Sequence, residues 1–184
     1  RNLQVKHGNI QVLKGVSFRV APGARVALVG HTGAGKTSVV SALYRFYEIK
    51  EGRILLDGIP INELALSDLR SRMALVLQEP FLFSGTILDN LRVGRADIPM
   101  EKVEQACRAV QIHEFVMERG GYQATVQERG GGFSEGERQL LSFARALVFD
   151  PAVLLLDEAT AHVDTRTEHL LQEALRVLVR GRTS

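Results

Sequence analysis

Gly30-His31-Thr32-Gly33-Ala34-Gly35-Lys36-Thr37 fits the pattern G-x-x-x-x-G-K-[ST]. Each fixed position answers to phosphate chemistry. The glycines let the backbone curl so that its N–H groups converge on an anion. A helix opening at Lys36 aims its positive N-terminal end at the same point. Lys36 adds a point charge on the outer phosphates, and the Thr37 hydroxyl is offered to Mg²⁺. The context agrees: Arg25-Val-Ala-Leu-Val29 is a short apolar run that reads as a buried strand before the loop. Lys36 to Phe46 places Val39, Val40, Leu43 and Phe46 at helical spacing after it.

A second stretch belongs to the same chemistry. Val153-Leu-Leu-Leu-Asp157-Glu158 sets two carboxylates at the carboxyl end of an apolar strand, where ligands bind in open parallel sheets. Asp157 is a Mg²⁺ ligand candidate, and Glu158 a candidate general base for an attacking water. An acidic pair alone is a weak signal; beside a phosphate loop it gains force.

Working outward, Leu3 to Val20 reads as two short strands joined by a turn. Gly52 to Asp57 reads as a strand ending at the Asp57-Gly58 turn, and Met73 to Leu77 as another buried strand. Helices are expected over Ser67–Arg72 with Ser67 as cap, Pro99–Arg119, Ser134–Leu147 and Thr165–Val179. Arg119 to Gly132 is turn-rich. The pattern gives an α/β core, 1–79 and 148–184, with a helical subdomain inserted at about 80–147.

Bulk properties narrow the classes. With 45% hydrophobic and 24% charged residues the 184-residue chain has the balance of an ordinary globular domain. A net charge of +2 and scattered basic residues give no reason to expect a nucleic-acid partner. One cysteine, Cys107, excludes an internal disulfide framework and reads as a small helix residue. No run approaches the roughly 18 apolar residues of a membrane span. The chain opens at Arg1 without Met and stops at Ser184 inside a pattern, which reads as a piece of something longer.

These residues resemble the ATP-binding domains of ABC transporters over nearly the whole chain. Gly30 to Ser38 resembles the Walker A loop, and Val153 to Glu158 resembles Walker B with its catalytic glutamate. The resemblance implies a P-loop NTPase core, mostly parallel with an antiparallel β region, that binds ATP and Mg²⁺. Further roles rest on it alone. Gln78 stands where the family has its Q-loop glutamine, meeting Mg²⁺ and the attacking water. Ser134 and Gly136, in Phe133-Ser-Glu-Gly-Glu137, stand where the family has its signature. His7 falls where an aromatic residue stacks on adenine. Phe81 to Asn90 and Thr125 to Gly130 resemble exporter segments that meet the coupling helices of a transmembrane domain, with Glu128 the contact candidate.

The chain also departs from the family pattern. Glu135 replaces a signature glycine and Glu137 a glutamine; both bring negative charge beside a triphosphate. Ser134-Glu-Gly-Glu137 also fits a capping box. At the D-loop, Ala161 and His162 replace Ser and Ala. The family's switch histidine is expected a few residues beyond Ser184, and none of His7, His31, His113, His162 and His169 stands there. In the family two such domains meet head to tail, each ATP lying between one Walker A and the other signature. A complete Walker side with an altered signature therefore implies a heterodimeric exporter motor on the cytoplasmic face of a membrane. The alternative is a regulatory nucleotide-binding subunit with little hydrolysis.

Overall fold

The computed structural model describes residues 3–7, 10–31, 33–49, 51–157 and 165–184. In chain order its elements are β1 (Leu3–His7), β2 (Ile10–Val16), α1 (Lys36–Leu43), β3 (Leu55–Leu56), β4 (Ile59–Pro60), α2 (Leu66–Ser71) and β5 (Met73–Val76). There follow β6 (Gly85–Thr86), α3 (Ile87–Arg92), α4 (Met100–Ala109), α5 (His113–Glu118), β7 (Thr125–Val126), a 3₁₀ turn (Glu128–Gly130), α6 (Glu135–Phe149), β8 (Val153–Leu156) and α7 (Thr165–Val179). The chain divides into two compact units: residues 1–75, 152–157 and 182–184, and residues 76–151 and 158–181.

The first unit is α/β. β1 and β2 pair antiparallel, with register irregularities at Leu3/Gln4 and Val5/Lys6. β3 and β4 form a hairpin whose two loop residues, Asp57 (φ 50°) and Gly58 (φ 85°), are both left-handed. That is the turn which Asp-Gly favours, because its twist matches that of the flanking strands. β5 pairs with β8. Val153 forms a parallel bridge with Thr183, and Ser184 donates to the Ala24 carbonyl while accepting from Val26 N–H. One cluster joins Leu13 to Val39 and Ala42 of α1; another joins Ile61, Leu69 and Met73. Burying Ile61 and Leu69, at 2% and 0% exposure, stabilises this unit by about 2–3 kcal/mol each.

Two expectations fail here. Arg25–Val29 is not a buried strand: among the described residues its ladder bonds stop at Val26, and Val29 is 94% exposed. The apolar run was a sound signal for burial, but a strand needs a neighbour along its length. Ser67 does not cap α2. The helix begins one residue earlier, its cap is Ala65, and no side-chain cap bond forms. The Ala65 carbonyl already accepts from Leu69 N–H at 3.0 Å, which leaves Ser67 inside the first turn.

The second unit is built on α6, which packs against α3, α4 and α7. Its interior includes Leu91, Val103, Val116, Leu141, Phe143, Leu171 and Leu178. The expected helix from Pro99 to Arg119 is two helices. Gln111 turns left-handed (φ 61°), and Ile112 N–H reaches back to the Cys107 carbonyl at 2.9 Å, a C-terminal wrap that closes α4. Ile112 is thereby driven into the core at 1% exposure. α7 spans Thr165–Val179, the boundaries read from sequence.

Candidate functional site

The phosphate loop and the Walker B strand lie in the first unit. Gly33 (φ 83°) and Gly35 (φ 95°) adopt left-handed backbone that residues with a Cβ rarely take, and Gly35 caps α1 in that conformation. Gly30 adopts no positive φ; a Cβ there would stand 3.1 Å from the Ala34 methyl carbon. Ala34 N–H donates to the His31 carbonyl at 3.1 Å and tightens the turn. The first turn of α1 holds no acidic residue of its own, and its N-terminal end favours an anion.

Lys36 bends back over this loop. Its Nζ donates to the carbonyls of Gly30 at 2.7 Å and His31 at 3.2 Å, which holds the ammonium at the loop rather than in bulk solvent. Thr37, the next residue, donates from Oγ1 to Asp157 Oδ2 at 3.2 Å, across 120 positions of sequence. Ser38 sits in the same helix, and its carbonyl accepts from the Tyr47 hydroxyl at 3.2 Å. Gly30, His31, Gly33, Ala34, Gly35, Lys36, Thr37, Ser38 and Asp157 thus share one unit.

Thr32 and Glu158 lie outside the described residues, as do Ala161 and His162. His7 ends β1, paired with Ile10 across the hairpin. Gln78, Ser134 and Gly136 belong to the second unit. Gln78 is exposed just beyond β5; Ser134 is exposed and Gly136 buried at the start of α6.

Ser134 is the N-cap of α6, and the capping box forms in full. Glu137 N–H donates to Ser134 Oγ at 3.3 Å, and Ser134 N–H donates to Glu137 Oε2 at 2.7 Å. Glu137 is therefore turned back onto its own helix. Glu135, in the first turn, is exposed.

The two stretches that resemble exporter contacts come together as a pair. β6 and β7 match Gly85 with Val126 and Thr86 with Thr125. Thr86 caps α3 with a reciprocal box to Asp89, whose carboxyl is held below its usual range by the Thr86 N–H and hydroxyl. Glu128 is exposed in the 3₁₀ turn that follows β7.

Three residues to which sequence reasoning gave no role of their own organise this unit. Asn90 is 1% exposed: its Oδ1 accepts from Phe83 N–H at 2.8 Å, and its Nδ2 donates to the Phe83 carbonyl at 2.8 Å and the Thr86 carbonyl at 3.1 Å. Arg145 of α6 donates to the Asn90 carbonyl at 2.8 Å and to the Phe81 carbonyl at 3.1 Å, and burial pulls its guanidinium down to about 10. Only one signal was available, a lone amide on the apolar face of Ile87, Leu88 and Leu91. The third residue is Arg119. Its Cζ lies 4.7 Å from the Phe115 ring centroid and 4.5 Å from that of Phe133.

No group of three or more His, Cys, Asp or Glu side chains suited to a metal is found among the described residues. Mg²⁺ takes few protein oxygens and completes its shell with water and phosphate. The Thr37 hydroxyl and Asp157 carboxylate, already in hydrogen-bond contact, are hard oxygen donors of the kind it needs. No helix of the described residues is long and apolar enough to cross a membrane.

Comparison with known proteins agrees with the geometry. Residues 13–161 match the ABC transporter family. The chain is 50% identical over 175 residues to an ABC transporter ATP-binding protein, YknV, of Bacillus subtilis, covering 95% of this chain and 29% of that one. It is 48% identical over 174 residues to a fatty acid ABC transporter ATP-binding/permease protein of Mycobacterium bovis, covering 94% of this chain and 28% of that one. The structure of a bacterial Atm1-family ABC exporter with ATP bound superposes with a TM-score of 0.89 at 40% identity, covering 99% of this chain and 32% of that chain. The chain spans about three-tenths of the length of these relatives. A family match over residues 13–161, relatives at up to 50% identity and a solved exporter structure at a TM-score of 0.89 agree, and the chain belongs to the ABC transporter family, as an ATP-binding domain.

Proposed function

We propose that the chain is the ATP-hydrolysing motor of an exporter, driving transport through a membrane-embedded partner domain from the cytoplasmic face. The observation that carries the reading is the Thr37–Asp157 hydrogen bond of 3.2 Å, which joins the phosphate loop to the Walker B strand within one unit. In this reading Gly30 to Ser38, Thr32 included, cradle the triphosphate, Lys36 neutralises its outer oxygens, and His7 stacks on the adenine. Thr37, Asp157 and Gln78 hold Mg²⁺, which supplies charge neutralisation of the phosphates. Glu158 accepts a proton from the attacking water, and Gln78 orients that water. Residues 1–79 and 148–184 form the nucleotide-binding core, and about 80–147 the helical subdomain.

Ser134 and Gly136 serve the nucleotide held by a second ATP-binding domain, head to tail. Glu135 stands in the first turn of α6 beside them, and a negative charge there opposes a triphosphate. The better site is then the one that joins this Walker face to a partner's signature, which favours a heterodimer. Phe81 to Asn90 and Thr125 to Gly130 are the segments that meet the coupling helices of the transmembrane partner, with Glu128 the contact residue. The test is Mg·ATP turnover of the full-length transporter, with and without candidate partner subunits, against Glu158→Gln. Turnover that needs a partner and is lost in the variant supports the reading. Full turnover alone removes the heterodimer, and ATP binding without turnover in any pairing turns the motor into a regulatory switch.

A further inference from the structure

The signature region carries two acidic departures, but the structure treats them differently. Glu137 Oε2 accepts from Ser134 N–H at 2.7 Å, and the same oxygen lies 3.6 Å from Arg119 Nη2. Arg119 is held in place by aromatic contact: Phe115 and Phe133 stand in a tilted edge arrangement, centroids 5.9 Å apart, with the guanidinium against both. Such contacts favour the cation as well as its position. Phe133 immediately precedes Ser134, and the Phe133 carbonyl accepts from Arg138 Nη1 at 2.6 Å. Glu135, two residues from Glu137, has no ion-pair partner among the described residues.

We infer that Arg119 is a positioning residue of the nucleotide site: it neutralises Glu137 and fixes the Phe133–Ser134 entry to α6, so that Ser134 faces the second domain's triphosphate without the repulsion the Glu137 carboxylate would bring. Its partner is a nucleoside triphosphate held by another ATP-binding domain, and the inference rests on the motor reading above. Of the two departures, Glu135 alone then weakens the signature side. Ser134 Oγ accepts the Glu137 N–H, which leaves its hydroxyl proton free to donate to a phosphate oxygen.

The test uses the full-length transporter with Glu158→Gln in this chain and the corresponding catalytic carboxylate of the second ATP-binding domain, where present, also replaced by its amide, so that in the motor reading the nucleotide facing Ser134 is retained unhydrolysed. The ATP concentration for half-maximal retention is measured. Arg119→Gln raises it about 5- to 20-fold, because an uncompensated unit charge then lies near the phosphates. Arg119→Lys keeps the charge and restores most of the loss. Arg119→Gln with Glu137→Gln together return retention to within about twofold of the starting protein, since the charge is gone, and 0.5 M salt shrinks the single-variant effect. Glu137→Gln alone leaves affinity unchanged or better, while Glu135→Gly improves it. A double variant as weak as Arg119→Gln alone, or an Arg119→Gln protein that binds as before, overturns the inference while leaving the motor intact. Absence of ATP retention in the Arg119-intact protein overturns the motor reading, and this inference with it.

Discussion

Replacing Asn90 by Ala removes an amide that ties the segment between Gln78 and β6 to α3. Three bonds to backbone are lost: Phe83 N–H to Oδ1, and Nδ2 to the carbonyls of Phe83 and Thr86. A fourth, from Arg145 Nη2 to Oδ1 at 3.2 Å, goes with them. A neutral intramolecular bond is worth roughly 1 kcal/mol net, and a buried donor left without a partner costs about 1–3 kcal/mol more. Asn90 is 1% exposed, so water does not easily replace it. Against this, Ala is the better helix former by about 0.6 kcal/mol. The sum is a loss of about 4–6 kcal/mol, or roughly 8–24 °C in Tm for a chain of this size. Urea unfolding of Asn90→Ala followed by far-UV circular dichroism measures it. Asp89→Ala, one residue away, is the control: it breaks only the exposed Thr86 capping box and costs about 1 kcal/mol. A loss below 1 kcal/mol for Asn90→Ala, or one no larger than that of Asp89→Ala, refutes the assignment of Asn90 as the anchor of this segment.

Gly130 is left-handed (φ 73°), and a Cβ there would lie 2.8 Å from Arg138 Cδ and 3.1 Å from Leu82 Cδ1. Gly130→Ala is therefore expected to cost about 1–3 kcal/mol, read as a lowered urea midpoint. Asp157→Asn leaves Thr37 an acceptor but removes the charge; nucleotide binding measured with and without Mg²⁺ should lose its Mg²⁺ dependence, and an unchanged Mg²⁺ response would exclude Asp157 as a ligand. Burial pushes the Cys107 thiol up to about 11. The native thiol stays protonated where the unfolded one, near its ordinary 9.0, ionises. The stability it contributes is present below pH 9 and is lost as pH rises towards 11. At pH 8 a disulfide reagent should leave native Cys107 untouched and label it only on unfolding; rapid labelling of the folded protein would contradict its burial.

How much of this was legible depends on the range of the interaction. The Asp57-Gly58 hairpin, the boundaries of α7 and the Ser134–Glu137 capping box are each decided within a few residues, so local chemistry fixes them. The break between α4 and α5 was hidden because Val103, Ala106, Val110 and Phe115 continue a helical spacing across it. What ends α4 is the burial of Ile112, which a left-handed Gln111 makes possible. The β6–β7 pair is two residues long on each strand, too short for alternation to register. Arg25–Val29 failed the other way: composition announced a strand, but strands are completed by neighbours, and only Ala24 and Val26 bond to Ser184.

The signature shows where local reading stops being sufficient. Sequence alone gives Glu137 two roles that can both hold, a cap for its own helix and a charge that repels phosphate. The geometry sets their balance through a residue 18 positions earlier in the chain. Arg119 has no motif, stands in a glycine-rich turn, and becomes significant only when Phe115 and Phe133 close on it. Substituting a signature residue therefore does not by itself measure the cost at the nucleotide. Glu137 is capped and paired, and its departure from the family pattern is largely absorbed by the fold. Glu135 has neither support, so the difference between Glu135→Gly and Glu137→Gln separates charge that reaches the ligand from charge the protein has already answered.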